Sequence, residues 1–279
     1  MHPGILRDAL TLIAGVMTGV LSAAFGVGGA VVSTPAIRAL GASATIAIGT
    51  TLPSILPSAI SGTLRYTRDR LIEWRVVWWT APFGMVSAIG GSLLSKVVPG
   101  NGHWLMLLTA GLLGFTAWRM ARQPDAPAPS GDDPHAEAET DREMVPTHPA
   151  PHDRHDSPIV LAMIGIGAGL LSGLLGIGGG VVMVPAFSEI AGIPLKASIA
   201  TSLACVGLLA TPGTITHALL GDINWTFALF LAIGVIPGAR LGAALAIRAG
   251  HRLLRVSVAV FLGGTAVLYA AGEIKALVK

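Results

Sequence analysis

The sequence predicts an all-α integral membrane protein of two homologous four-helix repeats, about eight transmembrane helices in all, with a glycine-broken first helix in each repeat. Three observations lead there. Of 279 residues, 52% are hydrophobic and only 12% charged, with a mean hydropathy of +0.70; a soluble domain carries about a quarter charged residues. Uncharged stretches recur along the chain, at 9–37, 39–64, 76–95, 97–118, 157–188, 197–221 and 256–272, joined by a segment around 223–247 that holds one arginine. Most reach the ~20 apolar residues that cross a hydrocarbon core as a helix. Lastly, residues 15–37 align without gaps on residues 165–187, with 11 identities in 23, and such self-similarity marks an internal repeat. Strands of a membrane barrel would alternate over about 10 residues, and no segment keeps that period.

The elements follow in order. The opening, "MHPGILRDALTLIAGVMTGVLSAAFG", has the layout of a secretory signal: Arg7, an apolar core, then Ser22, Ala23 and Ala24. The same pattern returns in mid-chain, where cleavage has no meaning, so it reads as the first membrane segment, 9–37, broken at Gly26–Gly29 and kinked at Pro35. Segments at 44–64, 76–96 and 103–120 complete the first repeat, residues 1–121. Residues 122–157 carry nine of the fifteen acidic residues and almost no aliphatic ones. Such a stretch buries too little apolar surface to offset its ordering entropy, so it reads as a disordered linker. The second repeat, 158–279, repeats the pattern at 158–188, 195–218, 225–247 and 253–271, its first segment broken at Gly176–Gly180 and kinked at Pro185.

With eight plain crossings, both termini, the linker and the 65–75 loop share one side, which carries the larger number of Lys and Arg and is therefore cytoplasmic by the positive-inside rule. Arg248, Arg252 and Arg255 then fall on the wrong side. The basic 65–75 loop also corresponds to an almost uncharged 216–225, a bias that inverted repeats with an odd number of crossings each would produce. Eight helices is the expected arrangement, with inversion as the alternative.

The glycine motifs are not nucleotide loops. A dinucleotide fingerprint needs G-x-G-x-x-G, but Gly176, Gly178, Gly179 and Gly180 give G-x-G-G-G, and no lysine follows as a P-loop requires. In lipid a broken helix persists only where it lines a cavity or packs against protein. A half-helix starting after Gly178–Gly180 would aim free N–H groups at the interior, and Gly26, Gly28 and Gly29 would supply a twin. Helix N-termini bind anions without a charged side chain; glycines at such spacing also simply let helices pack closely. Thr50, Thr51, Thr201 and Ser202 stand near the starts of the second helices, placed to cap them or to donate to a ligand. Arg240 lies within an apolar segment, where a charge is a candidate substrate contact or snorkels to an interface; its first-half equivalent is Ile89. His217, near a helix end, reads as a hydrogen-bonded structural group.

No cofactor or metal site is expected. A lone Cys205 excludes a multi-cysteine site, and His148, His152 and His155 in the linker lack a scaffold to fix ligand geometry. No catalytic motif of the serine, metallo or paired-carboxylate kind appears, so no enzyme is expected.

Two sets of apolar segments, each opening with "FGVGGAVVSTP" or "LGIGGGVVMVP", followed in the second by "ATSL" and "PGARLGAAL", resemble the sulfite exporter TauE/SafE family. The first half departs from that pattern at Ala30 and in "FGMVSAIGGSL". The resemblance implies a permease of the cell inner membrane that handles small anions, commonly exporting sulfite, sulfonates or related organosulfur and carboxylate anions. The residues agree in sign, since outside the linker basic residues far outnumber acidic ones. Partners are then a small anionic substrate and the lipid bilayer, with no nucleic acid; a homo-oligomer is an allowed state. Alternatives are a cation-coupled importer of similar anions and a non-transporting membrane enzyme.

Overall fold

The computed structural model describes residues 4–95, 103–122 and 157–277. Their regular elements are all helices, with no strand among the described residues. We label them α1 (Ile5–Phe25), α2 (Ala30–Ala39), α3 (Ala44–Arg68), α4 (Trp74–Leu94), α5 (His103–Arg122), α6 (Pro158–Leu175), α7 (Gly180–Pro185), which runs into a π-helical turn at Ala186–Ile190, α8 (Leu195–Leu219), α9 (Trp225–Arg248) and α10 (His251–Leu277). Six of them, α1, α4, α6, α8, α9 and α10, are long and apolar enough to cross a membrane. Local signals set several ends. Ser43 accepts from the Ile46 N–H, Ser157 from the Val160 N–H ahead of Pro158, and Asn224 from the N–H groups of Thr226 and Phe227, each satisfying amides that a helix start leaves unpaired.

Among the described residues ten helices stand where eight segments were expected, because the first segment of each half is two helices folded back on each other. Left-handed Gly26 and Gly176 terminate α1 and α6, their N–H groups returning to Ser22 and Ser172 at 2.8 Å. Another left-handed residue follows at Gly28, and two more at Gly178 and Gly179. In each break a second left-handed glycine two positions after the one that ends the helix reverses the chain instead of merely kinking it. Gly29 accordingly lies against Thr18 and Ser22 of α1, and Ile37, at the far end of α2, clusters with Ala47 and Phe227 beside Ala14. In the second hairpin Gly179 lies against Ala168 and Ser172.

Two close helix pairs frame the molecule. Gly15 and Gly19 of α1 meet Leu231 and Val235 of α9, while Gly238 and Gly242 meet Val16 and Val20; Gly165, Gly169 and Gly173 of α6 meet Thr80, Gly84 and Ala88 of α4. Residue numbers rise together in both pairs, so each pair is parallel. Without a hydrophobic force between helices in lipid, such glycines let backbones approach and gain dispersion contacts. At the centre α3 and α8 are antiparallel, with Gly62 on Leu203, Gly207 on Ala59 and Gly213 near Leu52. α5 and α10 are antiparallel too, with Gly114 near Ala266 and Gly263 near Ala117.

The ten described helices therefore alternate in direction. The ends flanking the linker, Arg122 and Ser157, lie on one face, and the starts of α1 and α3 lie on the other with the ends of α2 and α10. The plain eight-crossing layout would instead put the linker and both termini on the same side; one added return helix in each half changes that half's parity. The 65–75 and 248–255 loops now share the linker face. Except for its terminal residues the expected linker, with His148, His152 and His155, lies outside the described residues.

Candidate functional site

The two glycine breaks meet in the middle of the protein, between Ile55 of α3 and Val206 of α8. Gly28 and Gly178 face each other: a Cβ on Gly28 would stand 3.0 Å from the Ile177 carbonyl oxygen and 3.5 Å from the Gly178 Cα. One on Gly180 would collide with the Gly26 carbonyl oxygen. Gly26 abuts Ile199 of α8 and Gly176 abuts Ile48 of α3, so each break rests on the central helix of the other half. Of the two prolines expected as hinges, Pro185 stands at the junction of α7 with the π turn, whereas Pro35 sits within an uninterrupted α2.

The four hydroxyls read as caps or ligand donors bond within the protein. Thr50 Oγ1 accepts from the Asn224 N–H at 2.9 Å, and Thr201 Oγ1 accepts from the Glu73 N–H at 3.0 Å. They cap helices, but helices of the opposite half: Asn224 and Glu73 are the residues that open α9 and α4. Ser202 Oγ donates to the Gly26 carbonyl at 2.8 Å, satisfying a carbonyl that the break frees. Thr51 Oγ1 donates to the Ile48 carbonyl at 2.9 Å and lies 3.5 Å from Thr34 Oγ1. All four are buried.

Arg240 is elsewhere. It is exposed on α9 and shares a cavity of about 230 Å³ with Arg65 and Arg68 at the linker-face end of α3. His217 Nδ1 lies 3.2 Å from Asp222 Oδ2, both residues buried at the opposite face. The first-half counterpart, Tyr66, donates instead to the Ala23 carbonyl at 2.6 Å.

A hydroxyl cluster that sequence reading missed adjoins the first break. Thr18, Ser22 and Ser58 are all buried, with 1% exposure at most. Ser58 Oγ donates to Ser22 Oγ at 3.3 Å, while Thr18 Oγ1 has no hydrogen-bond partner. Thr18 touches Gly29, where α2 begins. The signal available in the sequence was the four-residue spacing of Thr18 and Ser22, which puts both on the helix face next to the break. At the second break the matching positions are Ala168, Ser172 and Leu209, so the two breaks are chemically unequal. No group of three or more His, Cys, Asp or Glu gathers as a metal site among the described residues.

The model of the family described as sulfite exporter TauE/SafE matches residues 11–269. The chain belongs to the TauE/SafE family. Its relatives include the probable membrane transporter protein YunE of Bacillus subtilis, 26% identical over 257 residues that cover 85% of this chain and 87% of the relative. Probable membrane transporter protein MamO of Paramagnetospirillum magneticum is 30% identical over 238 residues, covering 78% of this chain but 36% of that larger protein. Sulfite exporter TauE/SafE family protein 6 of Arabidopsis thaliana is 36% identical over 98 residues, 35% of this chain and 23% of the relative. No solved structure matches. A helical multi-pass membrane transporter of the TauE/SafE family is thus the coarse identity, and the breaks, central helices and hydroxyl cluster all lie within the matched residues.

Proposed function

We propose that this TauE/SafE protein is an inner-membrane permease that exports a small anion, sulfite or a related sulfonate or organosulfur or carboxylate anion, through a site at the two helix breaks. The observation that carries the reading is the first break: a ten-residue helix begins there beside three buried hydroxyls, one of them unbonded. Free N–H groups in the first turn of α2 supply positive potential, and hydroxyls supply neutral donors, so an anion is held without a buried countercharge. A buried unbonded hydroxyl costs about 1–3 kcal/mol; an oxyanion that accepts from Thr18 removes that cost. The second break, with a shorter helix, faces the first at Gly178 and closes the site from the other half.

Residues 1–121 and 158–279 are read as inverted repeats joined by the 122–157 linker. In support, the same contacts recur with the halves exchanged: Gly26 on Ile199 and Gly176 on Ile48, Thr50 to Asn224 and Thr201 to Glu73. The linker face carries Arg65, Arg68, Arg70, Arg75, Arg119, Lys196 and the basic 248–255 turn, against Arg7 and Arg38 among described side chains opposite. By the positive-inside rule the linker is cytoplasmic and both ends of the described chain face outward.

Expelling a monovalent anion from a negative cytoplasm is favourable by roughly 2.3 kcal/mol per 100 mV, so export needs no coupled proton, whereas uptake does. A second reading, proton-coupled uptake, is favoured only by the buried His217–Asp222 pair. The test is flux of radiolabelled sulfite, sulfoacetate, taurine and thiosulfate through purified protein in liposomes, beside a Gly179→Leu variant. Saturable flux of a subset of these anions, lost in the variant, supports the reading; normal flux through Gly179→Leu removes the break from the pathway.

A further inference from the structure

The arginine cavity that holds Arg240 shares no residue with the transport site proposed above. Arg65 and Arg68 come from the last turn of α3, and Arg240 reaches them from α9. Arg65 pairs with Asp69, while neither Arg68 nor Arg240 has a carboxylate partner among the described residues. The cavity is therefore net cationic by about two charges, counting three guanidinium groups against one carboxylate. Guanidinium forks match phosphate oxygens in pairs, and Ser61, also in the lining, is tied up by donating to the Ile236 carbonyl at 2.8 Å.

What surrounds the cavity names the kind of phosphate. Its outer wall is Leu64, 58% exposed, one helical turn beyond Ile60, 60% exposed, on the lipid-facing side of α3. Across that ridge runs a second cavity of about 320 Å³ between α3, α4 and α8, lined almost wholly by apolar groups, among them Leu56, Ile60, Val77 and Leu208. It extends from the level of Thr63 back to Leu56, toward the middle of the bilayer, whereas the arginines stand at the linker-face edge. Head at the edge and apolar groove inward is the order of a phospholipid. A free oxyanion has no use for the groove.

We propose that Arg65, Arg68 and Arg240 bind the phosphate headgroup of an anionic phospholipid in the linker-face leaflet, with one acyl chain over the Ile60–Leu64 ridge in the α3/α4/α8 groove. Basic pockets between membrane helices suit such headgroups. The proposal stands apart from the transported anion, so either can fail alone.

Native mass spectrometry of the purified full chain, titrated with phosphatidylglycerol or phosphatidylcholine, tests it. Phosphatidylglycerol is expected to bind at least about fivefold more tightly for each arginine engaged. Arg68→Gln with Arg240→Gln abolishes the preference, Arg248→Gln, the same charge removed outside the cavity, keeps it, and inorganic phosphate in millimolar excess fails to displace the lipid. Equal binding of the two lipids by the unmodified protein overturns the proposal without recourse to any variant. Displacement by inorganic phosphate overturns it in favour of a soluble-anion site.

Discussion

Gly180→Ala and Gly178→Ala separate the two reasons for glycine at the breaks. A Cβ on Gly180 would collide with the Gly26 carbonyl oxygen and lie 2.7 Å from the Val27 carbonyl carbon, backbone atoms that move only if the hairpins part. Overpacking of that kind costs ~1–3 kcal/mol, and parting the hairpins strains the Ser202–Gly26 hydrogen bond, worth ~1 kcal/mol. At Gly178 the nearest atoms are the side-chain tips of Val206 and Ile55 at 3.1 and 3.2 Å, which can yield; what remains is the left-handed backbone at φ +83, costing ~1–2 kcal/mol for an L residue. Gly167, with open space around it, serves as control, and alanine there is neutral or stabilising by ~0.4–1 kcal/mol. At ~2–4 °C per kcal/mol, thermal unfolding of the micellar protein, followed by tryptophan fluorescence, should fall by ~4–16 °C for Gly180→Ala and by ~2–8 °C for Gly178→Ala. A Gly180→Ala protein that melts with the Gly167→Ala control would refute the close packing of the two breaks.

Other outcomes follow from the same geometry. Thr18→Val removes a buried hydroxyl without a partner, so the melting temperature holds or rises, while KM for sulfite rises about tenfold or more through loss of one hydrogen bond to a charged ligand; unchanged KM excludes Thr18 from the site. Thr50→Val and Thr201→Val each leave one backbone N–H without its acceptor and lower stability by ~1–3 kcal/mol. These residues stand at opposite faces, so the double variant should be additive within ~0.5 kcal/mol, which denaturant melts of the three proteins check. An inward proton gradient at zero potential should leave sulfite efflux from liposomes unchanged, and acceleration would favour the His217–Asp222 coupling reading.

Much of the fold was legible because its signals are local. Hydropathy announced the helices, and the duplicated G-x-G-G motif announced two breaks; Gly29, in ordinary helical geometry at φ −60, and Gly179, left-handed at φ +72, show why the motif alone did not say how far the chain turns. That angle depends on backbone conformations at individual glycines, and with it went the number of helices and the side on which the termini lie. Thr50 and Thr201 were recognisable as cap formers, but which helix they cap is a matter of tertiary pairing some 130 to 170 positions away. Arg240 looked solitary since its companions, Arg65 and Arg68, come from the other half. Thr18 and Ser22 were hidden in an apolar run, where a hydroxyl usually bonds back to its own helix; only the fold shows that Thr18 does not.

Sulfite efflux from proteoliposomes under a potassium diffusion potential tests the central claim most directly. If the two breaks form an uncoupled path for an anion, efflux rises as the interior is made negative, outward movement of negative charge accompanies it, and both vanish in Gly179→Leu. Efflux indifferent to potential, or equally fast through the variant, would contradict the account.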